Sequence, residues 1–119
     1  MSTSETSHSI LARYSKGERS FTSLDLDDKN YDFTGATLIE ADFSECFLTA
    51  SFRGANLTRA VFKNANVKTC DFTDANLEGA SFEGSAIDAA VFAGANLTAV
   101  SFTGASEQGH VYQAGELPI

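Results

Sequence analysis

The sequence predicts an all-β solenoid, a square coil that spends about twenty residues on each turn. Three observations carry that expectation. Large apolar residues recur every five positions from Phe33 to Phe102, and a small residue generally stands two places before each. The blocks 51–70, 71–90 and 91–110 align column on column. A period of five matches neither the helical 3.6 nor the strand 2.0, so neither ordinary element explains it.

The columns give the proposed interior: Phe33, Phe52, Phe72 and Phe92; Leu38, Leu57, Leu77 and Leu97; Phe43, Phe62, Phe82 and Phe102; and Leu48, Val67 and Ile87. Stacked at the strand spacing of ~4.8 Å, four to five coils make a tower of about 20–24 Å. A bulky group is needed at each centre, and only a small one fits beside it, as at Ala55, Ala75, Cys46 and Cys70. Turn chemistry falls two places after the centre, at Gly35, Gly54, Asp74, Gly84, Gly94 and Gly104. Leu48 to Phe52 is a step of four, a one-residue deletion that leaves every later column in phase.

Three segments follow in order. Residues 1–20 read as a tail and helical cap: SHSILARYSKGE has Ser7 or Ser9 as the cap, Ile10, Leu11 and Tyr14 as an apolar face, and Gly17 as a stop. Residues 21–104 are the coil. Phe21, Leu24 and Leu26 repeat the spacing of Phe43, Cys46 and Leu48 as a half-coil, and DLDDKNYD then breaks the rhythm as a bulge or small loop. Residues 105–119 form an irregular cap, in which Tyr112 and Leu117 fall in the first and second columns.

Composition narrows the function. Net charge is −8, from 16 acidic and 8 basic residues, which argues against direct nucleic-acid binding. No apolar run approaches the ~20 residues of a membrane span, no signal peptide is read, and two Cys suit a reducing cytoplasm. The only His, His8 and His110, lie in the end segments, so no catalytic constellation, cofactor or metal site is expected. Cys46 and Cys70 read as small buried hydrophobes, and Asn56, Asn76 and Asn96 as a structural ladder. Charge is sorted along the chain: Arg53, Arg59, Lys63 and Lys68 come first, then Asp71, Asp74, Glu78, Glu83, Asp88 and Glu107. Twenty-residue stacking places Lys63 over Glu83 and Lys68 over Asp88.

ADFSE, ANLTR, ANVKT, ANLEG and ANLTA resemble the A(D/N)LXX motif of the pentapeptide-repeat family over about residues 31–104. The resemblance implies a right-handed quadrilateral β-helix, and it implies a role in binding another protein more than in catalysis. It also offers an alternative, an acidic DNA mimic acting on gyrase or another topoisomerase, as in quinolone resistance. Against that stand the short tower and the basic belt. The docking reading singles out Phe47, which lies one place before a centre and points outward. It adds Val91 and Ala93 on the uncharged stretch 89–106, where self-association competes with cover by the tail. The protein partner is unidentified, and the chain itself is expected to be a monomer or homodimer.

Overall fold

Parallel pairing at a fixed offset builds the protein. The computed structural model describes residues 5–118; residues 1–4 of the expected tail, and residue 119, lie outside it. Bridges connect Ser51 to Asp71 and Val91, Asn56 to Asn76 and Asn96, Val61 to Ser81 and Ser101, and Asn66 to Ala86 and Ser106. The chain therefore passes four columns of parallel bridges in each twenty residues, and the offset falls to nineteen only below the deletion, as in Thr37 to Asn56.

The repeat follows from an accounting of backbone N–H groups, since each must find an acceptor or face water. In the pentad around Leu57, Asn56 donates to Ala36 O at 2.8 Å, Leu57 to Asn76 O at 2.8 Å and Arg59 to Glu78 O at 2.8 Å. Ala60 closes a turn onto Leu57 O at 2.9 Å. The remaining donor, Thr58 N–H, points to no backbone group, and the Asn56 side-chain Oδ1 accepts it at 3.2 Å. Asp32, Asp42, Ser51, Asn66, Asp71, Asn76, Ser81, Asn96 and Ser101 serve the same purpose in their own pentads. The Asn column is thus chiefly a row of side-chain caps, with one rung between neighbours, Asn96 Nδ2 to Asn76 Oδ1 at 3.3 Å.

Each turn also demands a left-handed residue two places after the centre, as a type II turn does. Glycine meets that demand at Gly54 and Gly84, whereas Arg59 (φ 57°), Asp74 (φ 60°) and Ala89 (φ 60°) adopt it with a side chain. At Gly84 conformation is only half of the requirement, because a Cβ there would lie 2.2 Å from Asn64 Oδ1.

Two columns of rings fill the interior. Phe52, Phe72 and Phe92 stack at 5.1 and 5.2 Å, and Phe62, Phe82 and Phe102 at 4.8 and 5.0 Å. The two stacks meet edge to face, as Phe72 does with Phe82 at 5.4 Å. Phe33, Leu38, Phe43, Leu48, Phe52, Leu57, Phe62, Val67, Phe72, Leu77, Phe82, Ile87, Phe92 and Phe102 are all buried. Leu97 is only half-buried, because no coil lies above it.

A helix, α1 (Ser7–Ser15), covers one end. Its N-cap is Thr6, not Ser7 or Ser9: Thr6 Oγ1 accepts from Ser9 N, and Ser9 Oγ accepts in return from Thr6 N. Ser7 instead accepts from Asp32 N at 2.9 Å, tying the helix to the coil. Gly17 (φ 101°) ends it, with Glu18 N bonded back to Arg13 O. Ile10 is fully buried, and Tyr14 Oη donates to Ile39 O at 2.9 Å. The half-coil is present as well, with Phe21 N donating to Asp42 O and Asp42 N to Arg19 O.

The opposite end departs from expectation. Two short strands, Ser106–Glu107 and His110–Val111, form an antiparallel hairpin through Gln108 (φ 48°) and Gly109 (φ 86°). Tyr112 therefore packs on Phe102 at 6.2 Å and exchanges backbone bonds with Gly104 and Ala105, instead of continuing the first column above Phe92.

Phe72→Ala should cost about 3–5 kcal/mol by opening a cavity between stacked rings. Ala75→Leu should cost about 1–3 kcal/mol by overpacking the same interior. Denaturant melts read both, and unchanged midpoints for both would contradict this packing.

Candidate functional site

One column does not repeat cleanly, and the surface is shaped there. Strand β1 (Asp25–Asp32) pairs in parallel with β2 (Phe47–Ser51), Leu26 opposite Leu48 and Tyr31 opposite Ala50. Five residues thus span on β1 what two span on β2, and the three extra ones bulge outward, leaving Asp27 to Asn30 exposed. Above the bulge, the four-residue step shortens the wall. Two open depressions result, of about 480 and 190 Å3, with Thr49 and Thr69 lining both.

The deletion also removes a hydrogen-bond donor. In the neighbouring pentads the carbonyls of Lys63 and Thr73 accept from Glu45 and Gly54 in the coil before. No residue of that coil donates to Lys68 O, and the Thr69 hydroxyl takes its place at 2.5 Å. Thr69 does this while held at φ 64°, a region that β-branched residues avoid. The conformation itself is the one that the turn demands in every pentad, as at Arg59, Asp74 and Ala89.

Phe47 borders the smaller depression with Asp27, Asn66, Lys68 and Thr69, and it is 52% exposed. Its backbone is fixed by Phe47 N donating to Leu24 O and by bridges to Asp25 and Asn66, so the ring is presented from a rigid coil. Val91 and Ala93 are exposed too, but Val91 stands in the column of Ser51 and Asp71. The structure does not bring them to Phe47. Thr49, Thr69 and Asp27 went unmarked in the sequence; their signal was the bulge lying over the deletion, which appears only once the register is known.

Charges pair across coils. Lys63 reaches Glu83 at 3.7 Å, Arg53 reaches Asp71 at 2.9 Å and Arg59 reaches Glu40 at 3.3 Å. These exposed pairs contribute a few tenths of a kcal/mol each. Lys68 does not pair with Asp88, whose carboxylate accepts from Gln108 N at 2.8 Å. Lys68 is left facing the Phe47 depression without an ion pair among the described residues. Hydrogen bonds from Thr73, assisted by Arg53, hold the Asp71 carboxyl below its ordinary range. A hydrogen bond with Asp27 raises that of Asp25.

Cys46 and Cys70 are free and buried, with burial pushing their thiols up to about 11 and about 12. Cys46 Sγ donates to Phe21 O at 2.9 Å and fastens the half-coil. His110 lies 3.0 Å from Glu116 in the C-terminal segment, and no cluster of His, Cys, Asp or Glu among the described residues is arranged to hold a metal. Among the described residues no helix is long and apolar enough to cross a membrane.

A stacked coil of five-residue units with an exposed aromatic on a rigid wall defines a repeat scaffold. Eight copies of the pentapeptide-repeat family model match, over residues 50–85 and 75–106, and the chain belongs to that family. Among solved structures it is similar to Rfr23, a pentapeptide-repeat protein of the cyanobacterium Cyanothece 51142, with TM-score 0.57 and 24% identity over 68% of this chain and 58% of that one. It is similar to QnrB1, a plasmid-mediated fluoroquinolone resistance protein, with TM-score 0.54 and 26% identity over 66% of this chain and 42% of that one. A third, alr5209 of Nostoc Pcc 7120, shares the fold at TM-score 0.51 and 20% identity over 98% and 92%. The chain spans less than two thirds of the length of Rfr23 and QnrB1. No curated protein matches it.

Thr69→Gly should relieve the left-handed strain, worth about 1–2 kcal/mol, but leave the Lys68 carbonyl to water. The account predicts that Thr69→Gly melts at or above the parent. Thr69→Val, which keeps the strain and loses the hydroxyl, should melt below both.

Proposed function

We propose that this protein is a right-handed four-sided β-helix of four to five coils that works without chemistry of its own, as a docking module for another protein in the cytoplasm. One observation carries the reading. Phe47, alone among the ten Phe, lies outside the stacked interior, and it stands beside the depressions that the register break creates. Exposed aromatics over a recess are what binding hot spots use. The rigid coil lowers the entropic cost of presenting the ring. Partner capture from the native cytoplasm, compared between parent and Phe47→Ala, tests it. A specific partner lost at least tenfold in Phe47→Ala, with an unchanged melt, is expected. A partner retained at full strength would overturn the assignment of this face.

A second reading, an acidic mimic of DNA acting on gyrase, is favoured by the likeness to QnrB1 and by the net charge of −8. The longest dimension, 41 Å, exceeds the ~34 Å of one duplex turn, so length no longer argues against it. The arrangement of charge does. Asp71, Glu78, Glu83 and Asp88 stand in or beside four different bridge columns and form no stripe. Inhibition or quinolone protection in a gyrase supercoiling assay that fades with salt would promote this reading. No effect at micromolar protein would retire it.

A further inference from the structure

Opposite charges on this coil meet one coil apart, as Lys63 does with Glu83 and Arg53 with Asp71. Beside Phe47 two of them do not. Asp27 and Lys68 both line the smaller depression and both are exposed. Neither has an ion pair among the described residues. Register keeps them apart. Asp27 follows Leu26, which pairs with Leu48, and Lys68 belongs to the coil beyond, where Asn66 pairs with Phe47. Thr49 therefore stands between them, and two strand spacings separate their positions by about 10 Å. Neighbouring groups answer neither charge. Lys29 turns to Asp28 at 3.4 Å, and Asp88 accepts from Gln108 N at 2.8 Å. On the acidic side a hydrogen bond links the Asp25 and Asp27 carboxyls, so two like groups are crowded there.

We propose that the Phe47 face receives an extended segment of a partner protein in which an apolar residue stands between a basic and an acidic one. The apolar side chain lies on the Phe47 ring, the basic one meets Asp27 and the acidic one meets Lys68. Charge complementarity selects this occupant. A neutral segment would cover both charges without answering either, and a segment of one sign would meet a like charge at one end. Spacing agrees. An extended strand rises ~3.3 Å per residue, so opposite charges three residues apart span the same distance of about 10 Å. The two charges also fix direction, because the basic end must lie toward α1 and the acidic end away from it. Thr49, whose hydroxyl has no hydrogen bond among the described residues, is available to the segment's backbone between them. The inference rests on Phe47 as a docking residue and adds the chemistry of what docks.

A bead-displayed library of random hexapeptides, sorted for binding to the full chain, tests the proposal. The expected result is enrichment of an apolar residue between Lys or Arg on one side and Asp or Glu on the other, about fivefold over the unsorted library. Phe47→Ala should abolish that enrichment. Lys68→Glu, at an exposed position without an ion pair, should exchange the selected acid for Lys or Arg with an unchanged melt. Asp27→Lys should exchange the selected base for an acid. Selection that needs Phe47 but shows no charge preference, or a preference that Lys68→Glu does not reverse, would overturn the charge assignment and leave Phe47 as a docking residue. An absence of any Phe47-dependent selection would overturn both.

Discussion

The parallel backbone ladder between coils is the constraint on which the rest depends. A chain that climbs one strand spacing per turn pairs four of every five N–H groups with backbone, three across coils and one within its own turn. The fifth is left over because the turn directs it outward. The side chain one place before the centre must then accept it, which is why Asn, Asp and Ser dominate that position. The motif is a hydrogen-bond balance written in residues. Inside, the same vertical spacing brings identical side chains face to face, and the phenylalanine stacks follow.

A structure this regular exposes its exceptions. Where the ladder is complete the outer faces are smooth and chemically uniform. Where three residues are added on β1 and one is missing above, the wall recedes and a carbonyl loses its donor, which the hydroxyl of Thr69, standing at the left-handed position that every turn demands, replaces. The recess and the carbonyl without a backbone donor share a single cause. The tyrosines that end the ring stacks show the same logic. Tyr31 and Tyr112 place their hydroxyls 2.6 Å from Asp28 and Glu107, and burial beside those carboxylates pushes both up to about 12.

The coil was legible in the sequence because its period is unlike any competing element and because the deletion left the phase intact. The interior was legible for the same reason, down to the half-coil at Phe21. The ends were less so. Thr6, Ser7 and Ser9 are all good cap formers, and only the reciprocal bond between Thr6 and Ser9 selects one of them. The placement of Tyr112 assumed that the chain keeps climbing, whereas Gln108 and Gly109 turn it back. At the site, Phe47 was readable as outward by parity. The depression beside it was not, because it arises from two irregularities 22 residues apart in sequence that only the register stacks together.

The most direct test of the ladder is amide exchange by NMR in the coil around Phe62. Phe62, Asn64, Ala65 and Asn66 each donate to a backbone carbonyl, whereas Lys63 follows Val61, which has no side-chain acceptor to offer. The account predicts strong protection at those four positions and rapid exchange at Lys63, with Thr58, capped by Asn56, between the two. Protection of Lys63 equal to that of Phe62, or free exchange at Phe62, would contradict it.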